Sequence, residues 1–330
     1  MHPTQTQTYS SSVAATPDAD VLRVLQALSL QRISGWHLPG YYLGIIYESV
    51  GLDAATLTMD LDSNVDRNGQ PLPVALCILA DVALAAAIRG EVGFATRLAT
   101  VSARLTFTGR SGTQRLSARS HTRFRSDANT IAIRNSSVAV LSGDTEICFA
   151  EANFAVLNRP ADKPAQALPS PESLEQVEQL GINDLTDQEK RVYLKAQKAS
   201  VDGRHQNGDS AGDRDTTATF TERFWGLMPQ AHGKAATCEI ECGLHIGNRV
   251  GHVQGGILLG LAISTSLATV EHGWRMLEIS ANFIRPGTEG ILKASSRIVN
   301  QGRNLAHVTC DITTDTGRLV LQTQSTLIRE

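Results

Sequence analysis

Two short stretches hold residues whose types and spacing could do chemistry. In NRVGHVQGGILLGLA (residues 248–262), a polar, glycine-bearing turn runs straight into an apolar helix. The first N–H groups of a helix lack intrahelical acceptors and sit at the positive end of its dipole. A turn of this kind therefore suits an oxyanion or a phosphate. The helix that follows it carries no acid, histidine or cysteine, so a reaction there needs a group from elsewhere. In CILADVALA (residues 77–85), Asp81 stands between Ala80 and Val82 inside an apolar run. A carboxyl group in such a setting is expected to be desolvated, which raises its pKa and suits it to take up a proton. Asn248, Gln254, Gly255 and Gly256 on one side, and Asp81 on the other, are the candidate residues.

The elements around the two stretches repeat. DADVLRVLQALSLQRIS (18–34) has the apolar spacing of an amphipathic helix. YYLGIIYESVGLDAATLTMDL alternates like two strands about Gly51. A Gly/Pro/Asn-rich loop leads to the helix VALCILADVALAAAIRG, and four strand-like runs follow, ending near residue 158. The order then returns: FTERFWGLMPQAHGKAATCEIEC reads as strand, turn, strand, and is followed by the polar loop, the helix from Gly256 and four more strands. Gly69 falls on Gly251, Val74 on Gly256 and Phe107 on Phe283. A duplicated unit that packs on itself is the expectation. It divides the chain into a disordered tail (1–17), a first unit (18–158), a linker (159–217) and a second unit (218–330). The linker is Pro-, Gln- and Gly-rich, with one helix opened by a Thr186/Glu189 capping box. That helix is expected to lie on the surface.

With 42% hydrophobic residues in 330, the chain can build ordinary cores. A net charge of -3, with basic residues scattered, points away from nucleic acid and anionic membranes. The five cysteines form no CxxC pair and read as reduced, buried thiols. No signal peptide is seen, no apolar run is expected to reach membrane-spanning length, and a cytoplasmic protein is expected. No P-loop, Rossmann fingerprint or metal-ligand cluster is present, so no cofactor is expected.

A long helix followed by consecutive antiparallel strands suggests an α+β layout with a sheet wrapped around a helix. That order resembles the hotdog fold, and NRVGHVQGGILLGLA resembles the signature of phenylacetic-acid-pathway (PaaI-type) acyl-CoA thioesterases. ISANFIRP and GRNLAHVTCDITTDTGRLVLQTQSTL resemble later strands of that family. The resemblance implies a double hotdog in which two tandem units form a pseudo-dimer. It also implies sites shared between units, with the Asn and Gly-Gly from one and the acid from the other. Asn248 takes the family Asn position, and Gln254, Gly255 and Gly256 take the His-Gly-Gly positions. Ile263 takes the acid position, so the second unit has lost its acid. In the first unit Asp81 keeps the acid, while Asp66 replaces the Asn and Leu72, Pro73 and Val74 replace His-Gly-Gly. One complete site and one dead one follow.

The resemblance casts Asp81 as base or nucleophile, Gly255 N–H as oxyanion donor and Asn248 as orienting group. Gln254, Gly256 and Thr100 are expected to bind substrate, and Arg285 and Arg303 to meet the phosphates of coenzyme A, which enters only as part of the substrate. His37 and Trp36 are candidates to line the acyl pocket, with core packing the plainer reading; His245 and His252 read as solvated loop residues. The expected activity is hydrolysis of an acyl-CoA thioester, and chains of this kind are candidates for homo-oligomers. Two rivals stand beside it: an acyl-CoA-binding hotdog protein without turnover, and a hotdog enoyl-CoA hydratase or dehydratase.

Overall fold

The structure is a computed structural model, and it describes residues 18–33, 37–112, 115–127, 131–157, 174–208 and 218–330. The expected tail, Trp36 and much of the linker lie outside them.

The first half opens with helices α1 (Ala19–Gln31) and α2 (Leu38–Tyr42) and strands β1 (Ile46–Val50) and β2 (Ala54–Met59). Helix α3 (Pro73–Val92) follows, then β3 (Arg97–Phe107), β4 (Leu116–Asp127), β5 (Ala132–Ser142) and β6 (Thr145–Leu157). After helix α4 (Asp187–Gly208) the order recurs: α5 (Phe220–Trp225), β7 (Gln230–His232), β8 (Ala235–Glu241), α6 (Gly255–Leu267), β9 (Trp274–Phe283), β10 (Ile291–Gln301), β11 (Leu305–Thr314) and β12 (Leu319–Arg329). Among the described residues the strands form one sheet of order β1-β2-β4-β5-β6-β3-β9-β12-β11-β10-β8-β7. This is the double hotdog. The sheet wraps two core helices, and β3 and β9 join its halves as an antiparallel pair.

The repeat extends to single hydrogen bonds. Isolated bridges Val65–Pro71 and Gly247–Val253 close the same loop in each half. Gly69 and Gly251 take positive φ (75° and 83°), where a side chain would be strained. Asp66 Oδ1 accepts from the N–H groups of Asn68 and Gln70, and Asn248 Oδ1 accepts from those of Val250 and His252. Strands β3 and β9 each skip one residue against their outer neighbour. Thr100 therefore lies opposite Phe154 just as Met276 lies opposite Leu327. In the central pair Arg104 faces Ser280, and these two are each other's equivalents, so the pseudo-two-fold axis passes between them.

The structure corrects two expectations. FTERFW is a helix, not a strand. Thr219 and Glu222 form a full capping box and Gly226 ends the turn in the left-handed conformation, so local capping outweighs the apolar alternation. Helix α3 does have the length and apolar composition of a membrane span, yet it is a mostly buried core helix. It is apolar on every face because the sheet covers one side and α6 the other. The linker helix α4 packs Val192, Tyr193, Ala196 and Ala199 against the core and leaves Asp187, Lys190, Arg191 and Leu194 exposed. Its Glu189 completes the expected capping box and also takes Arg32 of the α1 C-terminus in a two-pronged ion pair, while Arg223 of α5 donates to its Ala199 carbonyl. This helix bolts the two halves together.

Helices α3 and α6 cross antiparallel at very short range. A Cβ built on Gly256 would stand 2.5 Å from the Ile78 backbone, and one on Gly260 would stand 2.3 Å from Val74 Cγ2. These are the same contact reflected by the pseudo-symmetry, and the glycine is on α6 both times. Gly256 thus serves packing, and it is not among the residues that line the cavity beside Asp81. Gly256→Val should lower unfolding stability by about 1–3 kcal/mol or more, since the clash is with backbone that cannot rotate away. Gly302→Ala, whose Cβ would meet only Leu305 O at 3.6 Å, should stay within ~0.5 kcal/mol of wild type. Chemical denaturation curves for the two variants check this, and equal midpoints would contradict the close crossing.

Candidate functional site

The crossing sets the α6 N-terminus against the middle of α3. A Cβ on Gly255 would lie 3.0 Å and 3.1 Å from the two carboxylate oxygens of Asp81, so a side chain at this position would crowd the acid and require it to shift. Gln254, the N-cap residue, holds the acid from the second half. Its Oε1 accepts the Ile257 N–H at 3.0 Å, which fixes the amide orientation, and its Nε2 donates to Asp81 Oδ2 at 2.7 Å. A flipped amide would oppose oxygen to carboxylate. From the first half, Thr100 Oγ1 on β3 donates to Asp81 Oδ1 at 3.4 Å. Burial pushes the Asp81 pKa up to about 6, against the lowering effect of the Thr100 hydrogen bond and of the Arg89 charge.

Asp81, Thr100, Gln254 and Gly255 line one cavity of about 400 Å³, together with Asn248 and Arg285. Asn248 is not the group that grips the acid. Its Oδ1 is spent on the loop, as that of Asp66 is in the other half. Arg285 sits exposed at the rim, donating to the Leu319 carbonyl. Arg303 lies in the β10–β11 turn, outside the cavity, because β12 and β11 separate that turn from the central strand pair. His37 and His252 line the cavity, whereas His245 is buried against Phe224, so the solvated reading of these loop histidines does not hold for His245. His37 is held neutral, its pKa pushed down to about 3 by burial and then by Arg249 and Arg89.

The pseudo-symmetric position is apolar throughout. Asp81, Thr100 and Gln254 correspond to Ile263, Met276 and Leu72, all buried. The α3 N-terminus there begins with Pro73, which has no N–H to offer. Sequence reasoning saw Ile263 and Pro73, but not Met276. It also missed Tyr47, Arg89 and Arg249 in the cavity lining. Arg89 carried a signal, since Asp81, Ala85 and Arg89 recur at helical spacing and share a face.

Residues 246–328 match the family model described as the acyl-CoA thioesterase N-terminal domain. No protein of curated function matches the sequence. Among solved structures, an inferred thioesterase from Novosphingobium aromaticivorans DSM 12444 aligns at TM-score 0.52 and 11% identity, over 86% of this chain and 98% of that one. A conserved protein with hot dog fold from Alicyclobacillus acidocaldarius aligns at TM-score 0.50 and 8% identity, over 86% and 96%. An inferred oleoyl thioesterase from Lactobacillus plantarum aligns at 0.50 and 11%, over 86% and 98%. At these identities the likeness is one of fold, and it runs through both halves: the chain has the hot dog fold.

The shifted acid has a stability signature. The folded protein holds the Asp81 proton more tightly than the unfolded chain does. This contribution to stability is therefore complete below the ordinary carboxylate pKa of 3.8 and is lost as pH rises through about 6. Asp81→Asn removes that titration. Relative to wild type, the variant should gain stability between about pH 4 and about pH 7, as read by denaturation at the two pH values. A difference that does not move with pH would mean the acid is not desolvated.

Proposed function

We propose that this chain is an acyl-CoA thioester hydrolase with one composite active site, built by Asp81 and Thr100 of the first half and Gln254 and Gly255 of the second. The carrying observation is the Asp81 carboxylate, desolvated and held from both halves against the α6 N-terminus. The match of residues 246–328 to an acyl-CoA thioesterase domain supports the reading. Within the family, the arrangement is that of the phenylacetic-acid-pathway type, with Gln254 in the histidine position.

In this reading the thioester carbonyl oxygen takes the Gly255 N–H, where the helix dipole favours developing negative charge. Asp81 removes a proton from water as the water oxygen attacks the carbonyl carbon. The tetrahedral intermediate then expels the coenzyme A sulfur as the C–S bond breaks, and the thiolate takes the proton that Asp81 received from water, which returns the acid to its ionised form. Thr100 and Gln254 hold the carboxylate in place. The raised pKa keeps Asp81 basic enough to work while leaving it ionised at neutral pH. Arg97 and Arg285, exposed at the rim, are placed for the phosphates of coenzyme A.

Asp81→Asn should cost about 10²–10⁴ in kcat on the best acyl-CoA, the usual weight of a general base. Asp66→Asn, at the apolar mirror site, should change the rate little. Wild-type kcat/KM should rise with pH through one ionisation near about 6, which Asp81→Asn abolishes. Steady-state assays over an acyl-CoA panel, with crotonyl-CoA hydration run in parallel, give these numbers. Equal rates for the two variants would make Asp81 a structural acid, and hydration without hydrolysis would favour a hydratase.

A further inference from the structure

The cavity continues along α3 past Asp81. Asp81, Ala85 and Arg89 are each only partly buried, whereas Val82, Ala83, Leu84, Ala86, Ala87 and Ile88 between them are buried. Residues four apart share a helix face, and these three all line the cavity. The stripe they form is about 12 Å long, and Ala85 is its middle. A single methyl group there leaves the space beside the acid open. Val82, Leu98, Phe154 and Leu258 give the same lining an apolar surface.

Beyond Ala85 the lining is pinned. Arg89 Nη1 donates to the Phe94 and Thr96 carbonyls at 3.0 Å and 3.1 Å, and Arg249 Nη2 donates to the Phe94 carbonyl at 2.9 Å. Tyr47 stands edge-on to the Phe94 ring, with centroids 6.2 Å apart. The two guanidinium groups fasten the turn between α3 and β3.

The pseudo-symmetry shows what larger residues do at this place. The match of Val74 to Gly256 carries Ala85 onto Leu267, and the match of Thr100 to Met276 carries Leu98 onto Trp274. Leu267 and Trp274 both pack against the core. The larger side chain stands on the side without the acid both times, so open space and acid occur together.

We propose that Ala85 is the specificity-determining residue of the site, admitting the acyl chain along α3 past the acid. This rests on the hydrolase reading above and names what its site selects. Extended polypeptide advances about 3.3–3.6 Å over three bonds, or about 1.2 Å per bond. A carbonyl carbon beside Asp81 therefore puts roughly the sixth carbon level with Ala85 and roughly the eleventh level with Arg89. Unbranched acyl groups of about six to ten carbons use this surface, and acetyl or butyryl groups stop short of Ala85.

The test measures kcat/KM on acetyl-, butyryl-, hexanoyl-, octanoyl- and decanoyl-CoA. Wild type should gain about fourfold for each methylene added between butyryl and octanoyl, the weight of burying that group. Ala85→Leu, which places the mirror-position side chain in the channel, should lower the octanoyl-to-butyryl ratio about ten- to hundredfold. Ala85→Val should lower it by less, and it carries the test where the leucine variant does not fold. A wild-type profile that is flat or favours acetyl-CoA overturns the proposal. So does an unchanged ratio in a variant whose denaturation midpoint matches wild type, because the chain would then lie elsewhere. Binding of the thioethers S-octyl-CoA and S-ethyl-CoA, which cannot be hydrolysed, separates the two readings by calorimetry. If wild type binds the octyl compound more tightly and Ala85→Leu erases that preference while no thioester is hydrolysed, the acyl channel stands and the hydrolase fails. Hydrolysis with a chain-length profile that Ala85→Leu leaves untouched fails this proposal alone.

Discussion

The close crossing of α3 and α6 governs the rest of the molecule. Gly256 and Gly260 let the backbone of one helix approach the other to a distance that any side chain on α6 would forbid. Without that approach Gln254 could not reach across to Asp81, and the α6 N-terminus would not abut the acid. The sheet reinforces the crossing from outside. Strands β3 and β9 pair across the pseudo-two-fold axis, and β3 brings Thr100 to the other carboxylate oxygen. The acid is thus held by two elements from different halves, and its geometry depends on how the halves dock.

A buried carboxylate is costly unless it is hydrogen-bonded, and a duplicated fold would meet that cost twice. Here it is met once. At the mirror position Ile263, Met276 and Leu72 fill the same space with apolar side chains, so the polar cluster has become core. The two faces of the pseudo-dimer have specialised in opposite directions: one stores an acid with a raised pKa, the other contributes hydrophobic packing. The shared Asx turns at Asp66 and Asn248 show what was retained on both sides, namely the loop geometry that aims the helix N-terminus.

The second role of α3 is to connect the acid to the cations. Its cavity face runs from Asp81 past the small Ala85 to Arg89, so a single helix lines the space with both an acid and a cation. Arg249 comes from the loop that positions Gln254. The same six residues of irregular backbone, from Asn248 to Val253, therefore set both the N-cap and one of the two inner guanidinium groups. Helix α4, docked on α1 and α5 through Glu189 and Ala199, locks the halves whose relative placement the cavity needs.

The sequence by itself determined the units and their order. Apolar periodicity, glycine punctuation and the recurrence of Gly69 as Gly251 are local signals, and they suffice to read two helices, each followed by strands. It also determined that Asp81 would be desolvated and that Ile263 and Pro73 leave the second position without acid or donor. Only the tertiary structure decided which residues meet. Asn248 and Gln254 are six apart on one loop, and nothing local says that the first closes its own turn while the second crosses to the acid. That Met276 matches Thr100 depends on equivalent bulges in β3 and β9, which strand patterning does not display. The convergence of Arg89 and Arg249 on one carbonyl joins residues from opposite halves. Their meeting depends on how the loop before α6 docks against the turn after α3, and a one-dimensional pattern carries no trace of that docking.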